Sequence, residues 1–185
     1  MLERVLYYGL SVFIILVTAV GDNAYARDKY IITPSGLLKN GRLVLDRKTP
    51  VHKGFLKRVF RGFHVVIKDE YDEANDYTRI YYNIYNGRHK IIEMNIGDDG
   101  RVYDMKINTP LIRDSHGISV GDSFLKLRQT GRISCVPEAE SGFTLLCSRP
   151  KEKLQFIFKN PYDSVWEVKY PLPKKNSRIM YFRWY

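Results

Sequence analysis

Asp114, Ser115 and His116 set a carboxylate, a hydroxyl and an imidazole side by side. These are the groups of a nucleophilic triad, in which serine attacks, histidine takes its proton and aspartate orients the ring. That chemistry requires the three groups to meet in space in a fixed hydrogen-bonded order. Three consecutive side chains do not readily converge in this way. No G-x-S-x-G elbow lifts a serine onto a sharp strand-to-helix turn. The run GISVGDSFLKL that follows reads instead as local structure. Gly117 and Gly121 permit a tight turn, Asp122 caps free amides, and Phe124, Leu125 and Leu127 begin a short helix against a sheet.

Two other constellations suggest binding. Lys53, Lys57 and Arg61 recur at helical spacing and form a basic face for an anionic partner, with a plain solvated face as the alternative. Tyr77, Arg79 and Tyr81 alternate along a strand pattern. Such a strip stacks on sugars or meets another protein, unless a second layer, the nearby helix, covers the rings. His52, His64, His89 and His116 stand apart and form no metal-binding pair. The acidic run at 69–76 lacks the ordered ligands, central glycine and closing glutamate of a calcium loop, and reads as a solvated turn. No metal or cofactor is expected. Paired carboxylates for glycoside hydrolysis meet only in the fold, so an exported hydrolase acting on a cell-wall or glycan substrate stands as the alternative function.

These groups need elements to position them. Thr49 as N-cap and Pro50 at the first helical position predict a helix running to about Arg61. Val51, Phe55, Leu56, Val59 and Phe60 fall on one half of it, and Lys53, Lys57, Arg58 and Arg61 on the other. From His64 the period changes to two. A three-residue loop at 85–87, preferred to a two-residue Asn86-Gly87 loop, pairs Ile84 with Arg88, Ile80 with Ile92 and Arg79 with Glu93. It keeps the apolar residues on one face. The GDDG turn at 97–100 then pairs Met94 with Tyr103 and Ile92 with Met105. Further strands are expected at 132–136, 143–147, 154–158, 164–170 and 178–184, the chain ending inside the sheet. The expected class is α+β: an antiparallel meander sheet with one amphipathic helix and one short helix packed on it.

Residues 5–20 are apolar, yet short of the roughly 20 residues of a spanning helix. With Ala24-Tyr25-Ala26 as a small-x-small site, they predict a signal peptide at 1–26 and a single domain at 27–185. A retained amino-terminal membrane anchor is the alternative. In an oxidising compartment Cys135 and Cys147 read as a disulfide, and otherwise as two buried thiols. Two isolated cysteines make a poor zinc site. The net charge of +10 favours polyanions. Export directs that preference to an envelope protein or an anionic envelope polymer, with peripheral membrane association also open, and away from nucleic acid. An outer-membrane barrel is opposed by the amphipathic helix and by charges on nearly every strand face.

The run at 117–127, followed by Cys135, Cys147 and a basic-aromatic terminal strand, resembles the bacterial RpoE-regulated lipoprotein family, a domain of unknown function in Gram-negative envelopes. The resemblance extends from Ile32 to Tyr185 and takes in Thr49-Pro50, the GDDG turn and INTPL at 107–111. It implies a small periplasmic α+β domain with Cys135 and Cys147 paired, and it brings no enzymatic activity. The lipoproteins of that family carry a lipidated cysteine just after the signal segment, whereas no cysteine precedes Cys135 here. The expectation is a noncatalytic periplasmic or secreted envelope protein that binds another envelope component or protein.

Overall fold

The computed structural model describes residues 28–73, 76–139, 142–161 and 171–185. The expected signal segment and the strand expected at 164–170 lie outside the described residues. The N-terminal strands are β1 (Tyr30–Thr33), β2 (Gly36–Lys39) and β3 (Arg42–Leu45), followed by helix α1 (Lys53–Val59). Strands β4 (His64–Asp72), β5 (Tyr77–Asn86), β6 (His89–Ile96), β7 (Val102–Ile107) and β8 (Ile112–Asp114) come next. Helix α2 (Phe124–Arg128) precedes β9 (Ser134–Pro137), β10 (Thr144–Ser148), β11 (Leu154–Lys159) and β12 (Tyr181–Trp184). Four strands form one sheet in the order β3-β2-β1-β8, and eight form an antiparallel sheet in the order β4-β5-β6-β7-β12-β11-β10-β9.

This corrects the expected α+β meander. The fold is mostly β and has two sheets, and its helices are only 7 and 5 residues long. Residues 30–45 supply most of the difference. Asn40 and Gly41 both take positive φ, 52° and 80°, which a primed two-residue turn requires, and they close β2 on β3 with Lys39 opposite Arg42. Pro34 and Ser35 close β1 on β2, and β8 adds to β1 in parallel. The helix is shorter than expected because its first residues find other partners. The Thr49 hydroxyl donates to Asp46 Oδ1, Pro50 bridges to Arg101, and the Val51 amide donates to Gly100 O at 2.8 Å. The N-cap is therefore His52, whose Nδ1 accepts from the Phe55 amide at 3.2 Å.

The core faces of the long hairpins are as expected around Ile84, Ile92, Met94 and Met105, but Ile80 and Tyr103 are exposed and the registers differ. Ile84 lies opposite Ile92 and Tyr82 opposite Met94, four residues from the predicted Ile84–Arg88 pairing. An even slip keeps the side chains on their faces, so Tyr82, Ile84, Ile92 and Met94 still meet in the core. The loop is Gly87-Arg88, with Gly87 at φ 59°, and a bulge between Ile84 and Tyr85 absorbs the odd residue. Arg79 consequently misses Glu93. A second bulge, between Asn95 and Ile96, puts Met94 against Met105 and Ile92 against Ile107. Val102 is thus buried, and Tyr103 turns to solvent.

The core lies on one face of the eight-stranded sheet, beneath the small sheet and the helices. Phe156, Phe182 and Trp184 of the sheet meet Ile32, Leu37 and Leu45 of the small sheet, Leu56, Val59 and Phe60 around α1, and Phe124 and Leu127 of α2. Burial of these side chains is the main favourable contribution to folding. Strand β12 sits between β7 and β11, inside the sheet, and Trp184 Nε1 donates across to Pro34 O at 3.2 Å. The end of α1 is tied down in a similar way. Tyr30 Oη and Lys39 Nζ both donate to Val59 O, at 2.8 and 2.7 Å, and so satisfy a terminal helix carbonyl with a cation nearby. Among the described residues no helix is long and apolar enough to cross a membrane, which says nothing of a β-barrel.

Three carboxyls are held below their ordinary range. The Lys39 ammonium lowers Asp28 and the Thr49 hydroxyl lowers Asp46. Burial opposes the charge of Asp122, but Lys126 Nζ and the Ser119 amide and hydroxyl outweigh it. A carboxyl whose folded pKa is depressed contributes stability above its unfolded value and loses it as pH falls through the folded value. Lys39 works in the opposite direction: burial disfavours its charge, but Asp28 raises it overall, so its contribution is lost only at high pH. The urea midpoint should therefore hold from about pH 5 to 9 and decline steadily below about pH 4. A midpoint unchanged down to about pH 2 would contradict these assignments.

Candidate functional site

Asp114 closes β8 and points inward, fully buried. Its Oδ1 accepts the amides of His116 and Ile118 at 2.9 and 2.7 Å, and its Oδ2 takes Arg149 Nη2 at 2.8 Å. Arg149 is also buried. It donates from Nε to Thr130 Oγ1 at 3.1 Å and from Nη1 to Glu152 Oε2 at 3.0 Å, and its guanidinium lies 4.9 Å from the Phe156 ring centre. The exposed His116 ring cannot relay a proton from Ser115 to Asp114. Ser115 Oγ and Asp114 Oδ2 both approach Nδ1, at 3.2 and 3.7 Å, whereas a triad imidazole bridges its partners through different nitrogens. The motif is a turn anchored by an ion pair. Helix α2 is capped by Ser123 rather than by Asp122, whose carboxylate holds the Ser119 turn and Lys126.

Cys135 and Cys147 lie directly opposite each other on β9 and β10 and are bonded. The aromatic strip of β5 lies on the outer face of the large sheet. Helix α1 packs on the other face and leaves the rings of Tyr77 and Tyr81 uncovered, the former exposed and the latter half-buried. Arg79 is already engaged: it pairs with Asp72 and stands 5.2 Å over the Tyr77 ring. Its pKa is pushed up, first by the Tyr81 hydroxyl and then, against desolvation, by Tyr77 and Asp72. Among the described residues no group of three His, Cys, Asp or Glu side chains is placed to hold a metal.

The three basic residues expected on one helix face are divided by the fold. Lys53 and Lys57 stay on the solvent side of α1, while Arg61, just past its end, lines a cleft of ≈ 1110 Å³ together with Arg58. Lys29 and Lys39 add two further cations. Lys39 is paired with Asp28 at 2.7 Å, whereas Lys29, Arg58 and Arg61 enter no ion pair among the described residues. Tyr30, Phe63 and Leu111 give the cleft an apolar side, and Asn86 reaches it from the end of β5. Burial pushes the Tyr30 hydroxyl up, so it stays a neutral donor to Val59 O. Of this set, the sequence reading had placed only Arg58 and Arg61 on a candidate surface. Lys29, Phe63, Asn86 and Leu111 arrive from separate elements, and no spacing in the chain connects them.

No protein-family model matches the chain, and no curated protein matches it in sequence. Its structure is similar to the crystal structure of the uncharacterized protein YfeY from Escherichia coli, with a TM-score of 0.57 and 15% sequence identity. The match covers 76% of this chain and 92% of YfeY. At that identity the likeness shows a shared fold.

Proposed function

We propose that this protein is a noncatalytic binding module of the bacterial envelope, exported and disulfide-bonded, that takes an anionic envelope component in the cleft at the end of α1. The observation that carries this reading is the trio Lys29, Arg58 and Arg61, gathered around one cleft without ion-pair partners among the described residues. Like charges placed together repel, and a concave wall focuses their field on an incoming anion. The bonded Cys135 and Cys147 support export, because such bonds persist outside the cytosol. The fold shared with YfeY supports the resemblance to the RpoE-regulated lipoprotein family. The hydrolase reading requires two converging carboxylates. The described lining of this cleft contains Asp28 alone, and Lys39 holds it.

The test uses a short polyglycerol phosphate as the anionic probe, with affinity measured across a salt series. Reversing two charges inside the cleft, R58E/R61E, should weaken binding by about tenfold or more at low salt and flatten the salt dependence. Compared at about 0.15 M salt, where charges more than about 8 Å apart are largely screened, the K53E/K57E pair on the outer side of the same helix should change affinity by less than about threefold. Equal loss in the two variants would move the site out of the cleft. An affinity indifferent to salt would reject anion recognition altogether.

A further inference from the structure

We infer that the anion taken by this cleft is an amphiphile: a negatively charged phosphate-type head group carrying an apolar chain. This rests on the cleft reading above and adds to it the character of the second wall. The buried Tyr30 ring stacks on the buried Phe60 ring at 5.4 Å and meets Phe63 edge-on at 6.3 Å, so core aromatics back the half-buried Phe63 where it borders the cleft. Leu111, from the loop between β7 and β8, also lines the cleft and is 40% exposed. Phe63 and Leu111, from separate parts of the chain, thus present apolar surface to the same space that Lys29, Arg58 and Arg61 border.

A purely ionic ligand uses only half of this arrangement. A hydrophilic polymer on the cations would leave Phe63 and Leu111 in water or set polar groups against them, and neither is favourable. A chain laid against Phe63 and Leu111 removes their surface from water while its head group meets the cations. The volume, ≈ 1110 Å³, lies just above the range of about 300–1,000 Å³ in which pockets enclose whole small ligands, so head and part of a chain fit together. The charge and the apolar side select jointly. Neither a neutral chain nor a bare anion fills both.

A homologous series of alkyl phosphates separates the two contributions, because the head stays constant while the chain grows. Binding of inorganic phosphate, butyl, hexyl and octyl phosphate to the purified protein is measured by calorimetry below micelle-forming concentrations, with octyl glucoside as the uncharged chain. Burying a methylene strengthens binding by up to roughly fourfold, so octyl phosphate should bind at least tenfold tighter than inorganic phosphate even with partial burial. Octyl glucoside should bind at least tenfold more weakly than octyl phosphate. Leu111→Ser, at an exposed position that folding tolerates, should flatten the dependence on chain length, and Phe63→Ser should do so further. If phosphate and octyl phosphate bind equally, the amphiphile inference fails and the anion site stands. If octyl glucoside binds as tightly as octyl phosphate, the anion reading fails with it, and if none of the series binds, both are overturned.

Discussion

Asp114→Ala is expected to lower stability by about 3–5 kcal/mol, the cost of removing one partner from a buried ion pair. The side chain satisfies three donors at once: the amides of His116 and Ile118, and the Arg149 guanidinium. Alanine would leave Arg149, 6% exposed, held only by Thr130 and Glu152, with its charge insufficiently compensated. The damage should spread, because this pair ties the end of β8 in the small sheet to the residue following β10 in the large one. Replacing both partners with apolar residues, D114L/R149M, should cost less than D114A alone, since the fully buried guanidinium is then not left without Asp114 and only the partly buried Glu152 loses a partner. Ser115→Ala and His116→Ala, which alter exposed groups, should each stay within about 0.5 kcal/mol. Urea unfolding of the four variants provides the check. A D114A cost below about 1 kcal/mol would mean that the motif does not anchor the fold.

Loss of the Cys135–Cys147 bond is expected to lower stability by about 3 kcal/mol. The two residues are 12 apart, and the bond closes that loop in the unfolded chain, which is the main source of its effect in the chain-entropy account. The folded state also depends on it. Strand β9 has four residues, ends in Pro137, and among the described strands pairs with β10 alone. An edge strand so short is held weakly by its backbone bonds, and the covalent link keeps it in register with β10. For a chain of this size a change of about 3 kcal/mol corresponds to a fall of roughly 6–12 °C in Tm. The C135A/C147A variant and the reduced wild-type protein should show the same fall. A reduced protein with both thiols titrated and Tm unchanged would contradict it.

Much of the β pattern could be read in the sequence, and the reasons for the failures are specific. The alternation in β5 and β6 showed that Ile84, Ile92 and Met94 face the core, because the pleat sets the face whatever the register, although Ile80, expected with them, is exposed. Register was lost chiefly because the first turn sits later than expected, at Gly87-Arg88, and two bulges each shift it by one residue more. The small sheet went unread although Asn40-Gly41 is a strong hairpin signal, since strands of four residues carry too little alternation to stand out. The helix was overextended because Thr49-Pro50 is a good local start signal. Tertiary partners at Asp46, Gly100 and Arg101 outcompeted it. The candidate site was legible only as the basic half of that helix. Its remaining walls come from β1, from the turn after α1, from the end of β5 and from the loop before β8, which only the folded topology brings together.

We propose that this protein meets an anionic partner in the cleft at the end of α1. Amide resonance titration with octyl phosphate locates the contact directly. The largest shifts should fall on Lys29, Tyr30, Arg58, Arg61, Phe63 and Leu111, with the Tyr77, Arg79 and Tyr81 strip unmoved. Shifts centred on that strip, or confined to the outer Lys53 and Lys57 side of the helix, would contradict the account.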